Sequence, residues 1–488
     1  MDKVNEFEYA ADLKDYASYK RRFSDESREH YTYSSADELL ANLKDLSTML
    51  KHHNEHQRPR LDILDDYYEG GNSTILQKQR RIERHLSDHR SPHNFAEYVS
   101  QFIQGYMCGI PIKMQHDDEG MNELLQEVNA SMDADAHNSD LILDLSIYGR
   151  AYELLYRNFD DENKLALLSP LETFVIYTDT VEKRPIAAVR YYRPTIDKTG
   201  FNVELYTSDY IFYYKASDVG SFELRQTDLQ NHYFDGVPII EYSNNRFRQG
   251  DYEKVLDLID LYDAAQADTA NYMTDLNDAM LLIKGNVDFT SDEARKMKES
   301  NILLLQTEMN ADGKEGSADA EYIYKQYDVS GVESYKDRIE NDIHKFTNTP
   351  NMNDESFSGT QSGEAMKYKL FGLEQKRAIK ERLFKRSMVQ RYKLISNILS
   401  TTSEGLLDTA ELSITFTPNL PENLLAELDA FFKGGGKLSQ ETLLSMLPIV
   451  SDPQAELERI ENEGEALQDR LMSGYSFATE GGADGETE

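Results

Sequence analysis

Apolar positions along the chain first fall at helical spacing in "SADELLANLKDLSTMLKHHNEHQRPRLDILDDYYEG". Ser35 can cap that helix, and Leu39, Leu40, Leu43 and Leu46 recur on one side of it. Gly70 and Gly71 end the region. The stretch "SPHNFAEYVSQFIQGYMCGIPIKMQ" predicts a second helix beginning near Pro92. It carries Phe95, Val99, Phe102, Ile103 and Tyr106 on one side and is closed by Gly109 and Pro111. From about Leu141 to Tyr242 the period shortens to β-branched and tyrosine-rich runs: "YGRAYELLYRN", "TFVIYTD", "IAAVRYYRP", "NVELYTSDYIFYYK" and "PIIEYSNN". These predict antiparallel strands joined by turns, an α+β arrangement beside the earlier helices that is mainly helical over the whole chain.

The segment 251–283, "DYEKVLDLIDLYDAAQADTANYMTDLNDAMLLI", contains no Gly or Pro. At 1.5 Å per residue it predicts one helix of roughly 45 Å. Its Glu253, Asp257, Asp260, Asp268, Asp275 and Asp278 fall within an arc of roughly 80°, while Val255, Leu258, Ile259, Tyr262, Met273 and Leu276 gather on another side. A smaller mixed segment follows, with a strand expected at 302–305 and another at 321–327. "SGVESYKDRIENDIHKFTNTP" predicts a helix that stops before Pro350. A polar, Gly/Ser-rich loop leads into a rod from Gly363 to about Leu399, whose packing stripe is Leu370, Leu373, Ile379, Leu383, Met388, Tyr392 and Ile395. "AELSITFTPNLPEN" reads as a strand into a Pro turn, and three helices separated by "GGGK" and "PIVSDP" follow. Residues 1–35 are expected to form a flexible arm, and 473–488 an acidic disordered tail.

Composition changes this picture in three ways. Thirty-one Tyr without a Trp, at 39% hydrophobic content, imply much half-buried surface of the kind found between subunits. Lys+Arg of 52 against Asp+Glu of 88 gives −36, which opposes general adhesion to nucleic acid or to anionic membrane. The charge is also uneven, because residues 364–400 hold ten basic and three acidic side chains while 401–488 hold four and eighteen. A single cysteine, Cys108, excludes an internal disulfide and reads as a small buried hydrophobe. No export signal and no run of 18 apolar residues is present, so no membrane association is expected.

Candidate chemistry is sparse. "GTQSGEAMK" lacks the Gly-Lys-Ser/Thr ending of a phosphate-binding loop, so Ser362 reads as a helix cap with Glu364 in the first turn. His52, His53 and His56 cluster in "KHHNEHQR", and His52 and His56 at i, i+4 share a face. The Glu of a zinc-protease pattern is absent, and both this cluster and His85, His89 and His93 read as solvated surface. No catalytic residue, cofactor site or metal site is assigned. The acidic stripe from Glu253 to Asp278 reads either as the wet side of a helix or, if several copies form a ring, as a bore past which DNA would slide without adhering.

The chain resembles the portal proteins of long-tailed double-stranded DNA phages of Gram-positive bacteria. The residues that carry this resemblance are "LDDYYEGG" at 64–71, "SPHNFAEYVSQFIQGYMCGIPIKM" at 91–114, "SIYGRAYELLY" at 146–156 and "VIYTDTVEKRPIAAVRYY" at 175–192. "GVPIIEYSNN" at 236–245, "SGEAMKYKLFGLEQK" at 362–376 and "KLSQETLLSMLPIVSDPQAELERIENE" at 437–463 complete the set. The resemblance implies a portal fold assembling as a ring-shaped homo-oligomer, twelve-fold in the virion, around a central channel. It implies an arm and wing at 1–249, stem helices at 250–283 and 330–348, a clip at 284–329 and a tunnel loop at 349–363. A long wing helix and strand would occupy 364–419 and a crown 420–472. The loop would bring Asn351, Asn353, Ser356, Phe357, Ser358, Thr360 and Gln361 near DNA, and its Gly and Ser residues would let it adjust to a moving groove. Implied partners are the terminase large subunit, which would supply the ATP site this chain lacks, head completion proteins, and capsid and scaffold proteins. The implied location is a capsid vertex, after assembly in the host cytoplasm. Whether the acidic stripe faces the channel or the basic 364–400 helix of a neighbour stays open at this level. A metal-dependent nuclease of the packaging machinery and a non-channel capsid or scaffold protein are the competing readings.

Overall fold

The computed structural model describes residues 25–77, 87–194, 200–216, 223–275, 280–284, 319–323, 328–352 and 370–419, with isolated positions between 290 and 464. The chain divides into two units. The first takes residues 1–65, 96–254 and 347–488; the second takes 66–95 and 255–346.

In the first unit the period-2 runs build strands as expected. They are β3 (Arg150–Arg157), β5 (Thr173–Thr178), β6 (Pro185–Tyr192), β7 (Phe201–Tyr206), β8 (Tyr210–Ala216) and β10 (Ile239–Ser243). Three further strands of the two larger sheets lie where the pattern gave no signal: β1 (Tyr31–Tyr33), β4 (Asn163–Leu168) and β9 (Leu224–Asn231). All three are sheet edges, where packing on one side is missing and alternation is weakest. The polar β9, largely exposed, suits an edge that must not recruit other strands. The larger sheet has the order β1-β5-β6-β7-β8-β9, antiparallel except for the β1–β5 pair, and the smaller one is β10-β3-β4.

The larger sheet is buried on both faces. Phe174, Ile176, Val189 and Val203 point to one side, against Leu39, Leu46 and Leu50 of α1 (Ala36–Ala41) and α2 (Leu43–His52). Ser35 caps α1 as expected, its Oγ accepting from the Glu38 N–H at 3.2 Å. Val175, Ala188 and Tyr206 point to the other side, against Tyr152 and Ile239 of the smaller sheet. A single π-turn, His53–Gln57, follows α2 and leads into α3 (Arg58–Tyr68), after which comes the short α4 (Ser73–Gln77). The π-turn directs His53 inward, where its Nδ1 lies 2.8 Å from the Tyr191 hydroxyl, so this histidine is not surface.

The far side of the smaller sheet receives α7 (Ala134–Tyr148) and α10 (Phe371–Thr402). Two more helices, α5 (Phe95–Cys108) and α6 (Glu119–Ser131), belong to this half, with α6 packed on β2 (Lys113–His116). That strand pairs with β13 (Leu412–Thr415) and so ties residues beyond the rod to the early helices. Gly149, between α7 and β3, has φ of +79°, and a Cβ there would come 2.3 Å from the Arg248 carbonyl oxygen. No other residue fits that turn.

The rod α10 is attached by buried charge as well as by apolar packing. Leu373, Phe384, Met388, Tyr392 and Ile395 are buried, but Ile379, expected in the stripe, is 52% exposed, and Lys380 and Arg391 are buried in its stead. Arg391 donates from Nε and Nη2 to Glu153 of β3, at 3.0 and 2.5 Å, and from Nη1 to Asn138 at 2.8 Å. Glu153 also accepts from the Tyr242 hydroxyl at 2.8 Å and lies 3.1 Å from His137 Nε2. Lys380 and Lys376 both pair with Asp251, the latter at 2.9 Å. The basic residues that made this segment a candidate partner for a neighbour's carboxylates are thus in part already matched within the chain.

In the second unit, α8 (Leu256–Asp275) and α9 (Val329–Thr347) run antiparallel: Lys336 reaches Gln266 at 2.8 Å, while Tyr262 and His344 both meet Phe95. The helix expected over 251–283 is shorter. Glu253–Val255 is a 3₁₀ turn, and Met280–Lys284 forms strand β11, paired antiparallel with β12 (Asp319–Ile323). The run "MLLI" fits either state by its own composition, and the cross-strand partner decides. The second expected strand is β12, shifted two residues earlier, whereas the one at 302–305 lies outside the described residues.

Burial disfavours the charged form of Glu153, but Arg391 and the hydrogen bonds of His137 and Arg391 overcome it and bring the pKa from 4.5 down to about 2. The folded value is depressed, so the stabilisation is complete above the unfolded value and is lost as pH falls from about 4.5 toward 2. Glu153→Gln leaves Arg391 without its counter-ion and should cost about 3–5 kcal/mol. Chemical denaturation at pH 7 should show that loss, and acid unfolding of the variant should lose steepness in the same pH window.

Candidate functional site

The sequence points to two features, the acidic face of α8 and the loop before α10. The acidic face turns out to be divided. Glu253 belongs to the first unit, buried at 1% exposure, with both carboxylate oxygens on Arg60 at 2.8 and 2.5 Å and Oε2 also accepting the Gly250 N–H at 3.0 Å. It is a structural ion pair rather than an exposed carboxylate, and is withdrawn from the acidic stripe.

Within the second unit, one edge of the stripe binds the chain itself. Asp260 accepts from the Tyr67 hydroxyl at 2.5 Å. Asp263, fully buried and not among the residues picked from sequence, accepts from Asn72 Nδ2 at 2.5 Å and from the His93 backbone N–H at 2.9 Å, and pairs with the His93 ring at 2.9 Å. Asn271 accepts the His89 backbone N–H at 2.7 Å, and the His89 ring meets Thr274 at 2.8 Å. Residues 260, 263, 271 and 274 lie within about 80° of helix circumference, so Tyr67, Asn72, His89 and His93 are held along one line of α8. His89 and His93 are therefore fastening groups as well as partly solvated ones.

Asp257 and Asp268 lie about 60–80° round the helix from Asp260. Asp257 is half-buried and Asp268 exposed. Asp275 closes the helix, and Asp278 lies outside the described residues. The helix pair is acidic between its members too: burial first, and then the carboxylates of Glu340 and Glu333 on α9, raise the pKa of Tyr262.

The loop is anchored at both ends. Asn348, with φ of +58°, terminates α9 in the left-handed conformation that Asn tolerates, and Pro350 follows. Thr347 and Thr349 are buried with their hydroxyls 2.6 Å apart, and the Pro350 carbonyl accepts from the Tyr98 hydroxyl at 2.7 Å. From the rod, Lys376 Nζ donates to the Thr347 carbonyl at 2.9 Å. A Cβ at Gly372 would stand 2.9 Å from Asn348 Oδ1, so the end of α9 and the start of α10 meet closely. Asn351 is half-buried and Met352 exposed. The other loop residues picked from sequence, Asn353, Ser356, Phe357, Ser358, Thr360 and Gln361, lie outside the described residues, as do Ser362 and Glu364.

No group of three or more His, Cys, Asp or Glu side chains is placed to hold a metal among the described residues. The His52 and His56 rings do share a face, 4.8 Å apart, with His52 also bound to the Tyr31 hydroxyl at 3.0 Å. Cys108 is half-buried, its Sγ 3.2 Å from the Gln104 carbonyl, and burial raises its pKa. Among the described residues no helix is long and apolar enough to cross a membrane.

A family model described as phage portal protein, SPP1 Gp6-like, matches residues 48–470. The chain belongs to this family of phage portal proteins. It is 24% identical over 424 residues to a portal protein of Bacillus phage SPP1, covering 83% of this chain and 82% of that one. It is 26% identical over 453 residues to a portal protein of Clostridium phage phiCD119, covering 86% and 96%. Membership settles the choice among the three readings of the sequence: this is a phage portal protein, a structural component of the virion, and not an enzyme. The anchored loop and the helix pair both lie inside the matched span of this portal protein.

Asp263→Ala should strip the 72–93 segment of its buried acceptor. Hydrogen exchange at the His93 amide should then speed up by about 10-fold or more, because a lost buried acceptor costs about 1–3 kcal/mol. Exchange in β5–β7 should stay unchanged.

Proposed function

We propose that this portal protein assembles as a ring-shaped homo-oligomer, twelve-fold in the virion, and that its central channel at one capsid vertex passes double-stranded DNA during packaging and ejection. The observation that carries this reading is the two-ended anchoring of the loop between α9 and α10. The residues on either side of the Gly/Ser-rich segment are fixed, Pro350 by Tyr98 and Thr347 by Lys376, with Gly372 close to Asn348, while its composition admits many backbone states at low steric cost. That is what a contact with a translating DNA groove requires.

In this reading the first unit supplies the wing, α8 and α9 the stem, and the β11–β12 pair belongs to the clip, which receives the terminase large subunit and later the head completion proteins. Residues 349–363 form the tunnel loop, with Asn351, Asn353, Ser356, Phe357, Ser358, Thr360 and Gln361 nearest DNA. Residues 420–472 form the crown inside the capsid, and capsid and scaffold proteins meet the wing. The carboxylates that face the bore are Asp257, Asp268, Asp275 and Asp278. Asp260 is committed to Tyr67, and Glu253 to Arg60. A negative wall lowers friction, because DNA that neutralises no phosphates against the protein releases no counterions and does not stick.

Negative-stain imaging of the purified protein with rotational averaging should show rings with a stain-filled centre; particles without an axial hole would overturn the channel. Packaging of DNA by particles carrying Asp257→Lys with Asp268→Lys should slow or stall, most severely at low salt. Packaging at the unaltered rate would remove the repelling bore from this reading.

A further inference from the structure

We propose that neighbouring copies of this chain are joined by a knob-and-cleft contact, in which the β3–β4 turn carrying Phe159 enters the cleft beside β10 of the next subunit. The proposal rests on the ring reading above and specifies one of its interfaces.

The knob is the sequence "NFDDEN" between β3 and β4. Phe159 is completely exposed, at 109% of its reference surface. The turn that presents it is fixed. Asn158 Oδ1 accepts from the Asp160 and Glu162 N–H groups at 3.0 and 2.9 Å, and Arg157 clamps Asp161 at 2.7 Å and Glu404 at 2.9 Å. A rigid turn that holds an aromatic side chain outward loses little conformational freedom on docking. Beside the ring stands the exposed carboxylate of Asp160, while Asp161 is held by Arg157 and Glu162 by Lys164 at 3.0 Å.

The cleft has the opposite character. It encloses about 530 Å³ in the first unit, enough for an aromatic side chain. Val175, Pro185, Ile239 and Leu383 contribute apolar surface, and Lys183 and Arg386 bring positive charge to it. Its two carboxylates are already matched, Glu241 with Arg248 and Glu182 with Arg184, at 2.8 Å each. Val181, at the tip of the adjoining β5–β6 turn, is also completely exposed and would be covered by an occupant. An exposed aromatic ring beside Asp160 thus complements an apolar hollow beside Lys183 and Arg386.

The two features sit on opposite sides of one sheet. The cleft borders β10, and the knob leads into β4, in the strand order β10-β3-β4. Two different patches that complement each other can join head to tail, the heterologous kind of contact that closes into rings. This selects a second copy of this chain as the occupant.

The test uses the full chain with Cys108→Ser, so that only introduced thiols react. Asp160→Cys combined with Arg386→Cys, both exposed positions, should give a ladder of disulfide-linked dimers and larger species on mild oxidation. Either single cysteine alone should stop at dimers. Phe159→Ala should raise the concentration for half-assembly by about tenfold or more, as loss of a buried aromatic does, without changing the melting temperature of the monomer. Asp160→Lys and Arg386→Glu should each weaken assembly, and together recover it. Rings that form with no ladder, a disulfide confined to one chain, or normal assembly of Phe159→Ala would overturn the knob-and-cleft contact and leave the ring standing. An unaltered chain that stays monomeric at all concentrations and salt conditions would overturn the ring itself and the contact with it.

Discussion

Glu153 and Arg391 hold the first unit together. Both are fully buried, and either alone would be an uncompensated charge in the interior. Together with Tyr242, His137 and Asn138 they satisfy nearly every hydrogen-bonding group they bring, which joins β3, β10, α7 and α10 at one point. Apolar packing by itself tolerates small sliding of a helix over a sheet; a guanidinium that must meet one carboxylate does not. The position of the long rod along the sheets is therefore set by a polar contact, and the start of the rod, where the loop returns, is set with it.

The same logic repeats toward the root of the loop. Asp251 gathers Lys376 and Lys380, and its carboxyl is held well below the usual carboxylate range because these cations outweigh the burial that opposes ionisation. Lys376 then reaches the Thr347 carbonyl, so one side chain links the buried pair to the end of α9. Stiffness at the loop's base thus descends from the interior of the first unit through a chain of named contacts, and not from the loop's own composition.

In the second unit, carboxylates that look equivalent by spacing have different fates. Asp260 and Asp263 are acceptors for the chain's own Tyr67, Asn72 and His93, and Glu253 is consumed by Arg60 in the other unit. Asp257 and Asp268 lie on the other edge of the stripe, the first half-buried and the second exposed. Glu253, Asp260 and Asp263 serve as internal hydrogen-bond acceptors, so spacing alone does not tell which acidic residues form surface charge.

The sequence by itself determined the elements whose signals are local. Ser35 marked a cap, Gly70 and Gly109 marked ends, and the alternation in "TFVIYTD" and "IAAVRYY" marked strands, because period and capping depend only on neighbours along the chain. The order and spacing of the segments quoted between residues 64 and 463 also sufficed to place the chain among phage portal proteins. What only the tertiary structure decided depends on partners far away in sequence. The strand at Met280–Lys284 needed Asp319–Ile323 to exist, since an apolar run of four has no period of its own. Ile379 faces outward and Lys380 inward because Asp251 stands opposite, and nothing near residue 380 signals that. Glu253 and Asp260 read as one acidic face, yet Arg60 and Tyr67 bind them, and Asp263, which the pattern did not mark, is the buried acceptor for Asn72 and His93. A charged residue declares its sign in the sequence, but its counter-ion is chosen by the fold.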